Sequence, residues 1–157
     1  MIKKLSRATD EAIAEQICQV FLAARAEMVY LPRLYTDEQV REWLTEIMIP
    51  GSDLWTAERG GRVVGFAALA GNWLEHLYVH PDAQGDGIGT ALLEAVKKVR
   101  QSLDLHVFQL NTGARRLYER EGFILVQEGD GSGNEENLPD AQLRWTAASD
   151  PYTPAVR

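Results

Sequence analysis

Cysteine is nearly absent: the chain has one, Cys18, in 157 residues. A single thiol closes no internal disulfide, so the fold must rest on its core. Ile13, Ile17, Val20 and Phe21 surround Cys18 at helical spacing, which marks it as part of a buried apolar stripe and makes a reducing, cytoplasmic setting the expectation. Long apolar runs are missing as well. No stretch reaches the ~18 residues needed to cross a bilayer, and the opening MIKKLSRATDEAIAEQ has no continuous apolar core behind its lysines, so neither a membrane span nor a signal peptide is expected. Positive charge is the scarcer sign, with 16 Lys and Arg against 23 Asp and Glu and a formal charge of −7. That balance disfavours nucleic acid as a partner and draws cationic molecules, although it is also ordinary for a soluble protein. His80 and His106 lack metal-ligand spacing with any other His or Cys, so no metal is expected.

What is present is a core. At 45% hydrophobic content the length suits one domain, placed over 1–147 with a tail at 148–157. A first helix is expected from Thr9 as N-cap, with Ile13, Ile17, Val20, Phe21 and Ala24 on one face. Thr36 with Gln39 three residues on is a capping-box pattern; the helix it opens carries Val40, Trp43, Leu44 and Ile47 as its apolar stripe and stops at Pro50 and Gly51. Strands separated by turn residues follow: Leu54 to Glu58, Val63 to Leu69 and Trp73 to Val79, an antiparallel meander. Then come a helix from Gly89, a strand from Leu103, a helix from Gly113, and strands from Phe123 and Ala141. With a short opening strand at Ile2 the order is βααβββαβαββ, an α/β arrangement of a mixed sheet covered on both faces by helices.

The densest motif is QGDGIGT, in which Gly85, Gly87 and Gly89 alternate at the mouth of a helix. A P-loop would need Lys after its last glycine, where Thr90 and Ala91 stand. The dinucleotide fingerprint would need a third glycine where Thr90 sits, and belongs on an early strand of a βαβ array. The remaining reading is a loop whose backbone N–H groups wrap a pyrophosphate at a helix N-terminus. Here the chain resembles a known family: Gln84-Gly-Asp-Gly87-Ile-Gly89 is similar to the Q/R-x-x-G-x-G/A signature of the GNAT acyltransferases, LYVHP resembles their fourth strand and exit turn, NTGARRLYEREGF resembles their next segment, and the element order agrees.

The resemblance implies that acetyl-CoA is the donor. It implies that Gln84, Gly85, Asp86, Gly87, Ile88, Gly89 and Thr90 hold the pyrophosphate, and that the main chain of Leu77, Tyr78 and Val79 receives the pantetheine arm as an added strand. Asn111 is suited both to bonding that arm and to capping the next helix. Tyr118 is implied as proton donor to the leaving thiolate, with padding of the sheet as its structural reading. For the base that deprotonates the amine, Glu75 is preferred to His76, which alternation sends to the other face; a Glu paired to a nearby Arg is the competing reading. The function expected is acetyl transfer to a primary amine of a small molecule or peptide. A non-catalytic acyl-CoA-binding regulatory module and a protein N-terminal or lysine acetyltransferase are the alternatives. Acceptor choice is expected of Tyr30, Leu31, Tyr35 and Trp43 and of an acidic rim, Glu135, Glu136 and Asp140. Dimers are frequent in the family, so a homodimer is one expectation.

Overall fold

The computed structural model describes residues 1–6 and 9–148, so all but the first residue of the expected tail lies outside the described residues. Local capping explains where the first helices begin. Thr36 accepts from the Gln39 amide at 3.1 Å while the Gln39 side chain accepts from the Thr36 amide at 2.9 Å, a complete capping box that opens α2 (Asp37–Trp43). Helix α1 (Glu11–Ala26) starts one residue later than expected: Asp10, not Thr9, is the cap, accepting from the Ile13 amide at 2.8 Å, while the Thr9 hydroxyl donates to the Ser6 carbonyl. The carboxylate is the stronger acceptor for an orphan amide at the positive end of a helix dipole.

A π turn, Leu44–Met48, carries α2 into the short helix α3 (Ile49–Gly51). Its extra residue rotates the helix face. Ile47, expected on the buried stripe, is therefore turned out to 61% exposure, while Leu44, Met48 and Ile49 are buried.

Strands β1 (Ile2–Lys4), β2 (Asp53–Arg59), β3 (Arg62–Ala70) and β4 (Trp73–Val79) pair antiparallel in sequence order, the expected meander. Helix α4 (Ile88–Lys97) then crosses to β5 (Ser102–Phe108), and α5 (Thr112–Arg120) leads to β6 (Ile124–Gly129) and β7 (Asp140–Thr146). The seven-stranded sheet runs β1-β2-β3-β4-β5-β7-β6, with β7 inserted antiparallel between β5 and the edge strand β6. Only β4 and β5 are parallel, and they register at one pair, Trp73↔Asp104. The Trp73 and His106 rings stack at 4.9 Å beside that pair. Beyond it the strands part, which leaves two unpaired edges facing each other at the carboxyl end of the sheet.

Two apolar layers flank the sheet. Leu92, Leu93 and Val96 of α4 and Tyr118 of α5 pack on Leu74, Leu103 and Leu105, while Ile17, Val20 and Phe21 of α1 with Leu44 and Met48 cover Leu54, Phe66 and Ala68. Cys18 is fully buried in the second layer. Gly65 on β3 sets how closely α4 approaches: a Cβ there would lie 3.1 Å from Ile88 Cγ2 and 3.1 Å from the Tyr78 carbonyl. Among the described residues no helix is long and apolar enough to cross a membrane, and no group of three or more His, Cys, Asp and Glu is arranged to hold a metal.

Candidate active site

Strand β4 is bulged where it matters. Ala68 pairs with His76 and Leu69 with Leu74, so Glu75 has no partner on β3. The one-residue slip breaks the alternation of the strand. Leu74 and Leu77, three apart, pack with the α4 and α5 layer, while His76 and Tyr78 both turn toward α1. Glu75 is exposed and lines the cleft between the parted strands.

That cleft encloses about 590 Å³. Residues Leu74 to Tyr78 form one wall, His106 to Phe108 the other, and Asn111 and Tyr118 contribute from α5. Of the residues singled out in the sequence, the fold brings Glu75, Leu77, Tyr78, Asn111 and Tyr118 together here, whereas Val79 and the glycine loop do not line the cavity. Asn111 caps α5 by accepting from the Ala114 amide at 3.2 Å and lines the cleft as well. Tyr118 is buried with its ring edge-on to Phe123 at 5.4 Å. Burial, with the nearby Tyr78 phenol, pushes its hydroxyl well above the usual tyrosine range, so it stays protonated at every physiological pH.

In the loop after β4, a Cβ placed on Gly85 or on Gly87 would meet no atom within 4 Å. Gly85 (φ 85°) and Gly87 (φ 79°) are left-handed, and Gly87 occupies the N-cap of α4 with no side-chain cap. The first amides of α4 therefore face outward without an intrahelical acceptor. Gln84 ties the loop to β4 by donating to the Val79 carbonyl at 3.2 Å, and Gly89 lets α4 sit against Leu117, 3.2 Å from where a Cβ would be. Asp86, the one acid between Gln84 and Thr90, is held by Arg59 at 2.6 Å. These residues fit a pyrophosphate: free amides, a helix dipole and no side chain in the way.

A second cavity of about 860 Å³ opens between α1, the segment after it and the β6–β7 loop. Leu31, Tyr35 and Trp43 line it as expected, but Tyr30 does not. The Tyr30 ring packs edge-on to Phe108 at 6.2 Å, and its hydroxyl is buried without a hydrogen-bond partner. Of the acidic rim, Glu135 and Glu136 line this cavity, while Asp140 lies by the first. Two contacts join the segments that form it: the Tyr35 hydroxyl donates to Glu135 at 3.0 Å, and Arg25 meets Glu136 at 3.5 Å. Met28, His76 and Glu136 border both cavities, so the two meet there. His76 is packed among Phe21, Trp43 and Tyr78, and its Nδ1 is buried without a partner. Burial, helped by Arg25, lowers its pKa from 6.5 to about 4. Arg25 and Met28 escaped the sequence reading, since nothing local to the end of α1 signals a carboxylate more than a hundred residues away.

A family model described as an acetyltransferase (GNAT) domain matches residues 50–125. Peptidyl-lysine N-acetyltransferase YiaC of Escherichia coli (strain K12) is 36% identical over 92 residues, 58% of this chain; the match spans 62% of the length of YiaC. Peptidyl-lysine N-acetyltransferase YjaB of the same strain is 31% identical over 108 residues, 68% of this chain and 74% of YjaB. The solution structure of apo-form YjaB from Escherichia coli superposes with a TM-score of 0.74 at 21% identity, covering 94% of this chain and 98% of that one. The class these define is that of proteins described as N-acetyltransferases. The chain belongs to the GNAT acetyltransferase family, whose enzymes generally use acetyl-CoA.

Proposed function

We propose that this protein transfers an acetyl group from acetyl-CoA to a primary amine. One observation carries the reading: a cleft lies between two unpaired strand edges, and the loop leaving one of those strands opens a helix whose N-terminus is capped by nothing but Gly87. When bound, acetyl-CoA supplies a thioester whose carbonyl carbon bonds to the acceptor nitrogen as its carbon–sulfur bond breaks.

The residues of Gln84 to Thr90 hold the pyrophosphate through backbone amides and the α4 dipole. Main-chain groups of Leu77, Tyr78 and Val79 would receive the pantetheine arm along the free edge of β4, and an amide of this strand would stabilise the negative charge that builds on the thioester oxygen. Asn111 steadies the arm from the start of α5. Glu75, put into the cleft by the bulge, takes the proton that the acceptor ammonium must lose before it can attack. His76 is a wall rather than a base, because its ring is boxed in by aromatic neighbours and Arg25 opposes a positive charge on it. Tyr118 gives the departing sulfur a proton and recovers one from the nitrogen. The nitrogen loses two protons in all, one passing to solvent and one matched by that on the CoA thiol.

Calorimetric titration with acetyl-CoA tests the cradle, and no binding would end this reading. With binding retained, Tyr118→Phe should lower kcat on the order of 10²-fold, and Glu75→Gln should do so with the loss largest at low pH. Unchanged turnover would remove either residue from the mechanism.

A further inference from the structure

We propose, resting on the acetyltransferase reading above, that the 860 Å³ cavity takes a small primary amine borne on one bulky apolar body, aryl or branched aliphatic, with Glu136 receiving its ammonium group. Continuity with the cleft is the first argument. Because Met28, His76 and Glu136 border both cavities, a molecule filling the larger one presents its end to the face where Glu75 and Tyr118 lie. A volume of this size falls within the ~300–1,000 Å³ of pockets that take small organic ligands.

Charge is the second. Arg25, Arg33, Asp37, Glu135 and Glu136 line the cavity, which leaves it one net negative charge. Arg33 is committed to Asp37 at 2.9 Å and Glu135 to the Tyr35 hydroxyl. Arg25 divides itself between the Tyr78 hydroxyl at 3.2 Å and Glu136 at 3.5 Å. The latter distance is long for a charge-assisted bond, so Glu136 keeps capacity for a closer cation. Its side chain is only 18% exposed, so an ammonium that takes over the Arg25 contact is attracted with little screening while Arg25 keeps its bond to the Tyr78 hydroxyl.

The walls supply the rest. Phe21, Leu31, Leu34, Val40 and Trp43 give the body of the acceptor an apolar, partly aromatic lining. A polyamine or aminoglycoside would bring further ammonium groups against those walls, where the one remaining carboxylate without a cationic partner is Glu135 at the exposed rim, and burying an unpaired charge is costly. A lysine on a polypeptide would send in only an unbranched stem, which meets little of this apolar, partly aromatic lining.

The test uses the full chain, with acetyl-CoA binding measured first by calorimetry and CoA release then followed with 2-phenylethylamine, isoamylamine, spermidine, kanamycin and a lysine-containing peptide. The kcat/KM for 2-phenylethylamine should exceed those for the polycations and the peptide at least tenfold. Glu136→Gln should raise its KM at least tenfold with acetyl-CoA affinity unchanged. Leu34→Asp, at an exposed position, should raise KM with kcat kept. Preference for spermidine, kanamycin or the peptide, or an unchanged KM in Glu136→Gln, overturns the inference and leaves the acetyltransferase reading standing. Acetyl-CoA binding with no amine releasing CoA also overturns it, whereas loss of acetyl-CoA binding sinks the broader reading and this inference together.

Discussion

Replacing His76 by phenylalanine should remove a specific acid sensitivity from the fold. The imidazole sits among the Phe21, Trp43 and Tyr78 rings with Nδ1 buried and unpaired, and its pKa is lowered from 6.5 to about 4. Burial is the main cause and the Arg25 guanidinium the second. From about pH 7.5 upward the ring is neutral in the folded and unfolded chains alike, so there it contributes no pH dependence. As the pH falls from there toward about 4, the unfolded chain takes up a proton that the folded one refuses, and stability falls with it. At 1.36 kcal/mol for each pH unit, the loss reaches about 2 kcal/mol at pH 5 and about 3 kcal/mol once pH has dropped to the folded value. Urea unfolding of both forms between pH 7.5 and 5 reads this directly, because titration of the other groups is common to the two and cancels in their difference. The wild type should lose about 2 kcal/mol more than His76→Phe over that range. Parallel pH profiles would refute the placement of His76 as a buried neutral ring.

Two further outcomes follow from the glycines. Gly87→Ala forces a side chain into the left-handed region at φ 79°, which costs about 1–2 kcal/mol and should weaken acetyl-CoA binding by narrowing the cradle; thermal unfolding and calorimetry report the two effects separately. Gly65→Ala places a methyl 3.1 Å from the Tyr78 carbonyl and from Ile88 Cγ2, and since the backbone atom cannot swing aside the fold should lose about 1–3 kcal/mol by urea denaturation.

Much of the fold was legible because it is written in short-range chemistry. The capping box of Thr36 and Gln39, the stripe of Ile17, Val20 and Phe21, and the turn glycines between β2, β3 and β4 act within a few residues of themselves, and the structure agrees with each. So does Gly87, whose positive φ is a local demand that glycine alone meets cheaply. The misplacements were of another kind. Ile47 turned outward because of a π turn, and Tyr30 left the acceptor wall for Phe108. Both depend on what packs against the segment rather than on its own rhythm.

By itself, then, the sequence determined the order of elements and a glycine-lined helix mouth that hydrogen bonding and backbone sterics specify locally. Tertiary structure alone decided that β4 and β5 meet at a single pair and then part, that a bulge turns Glu75 into the resulting cleft, and that Arg25 and Tyr35 find Glu136 and Glu135. Those contacts join residues as much as 111 positions apart, and only the competition among all chain segments for the same space selects them.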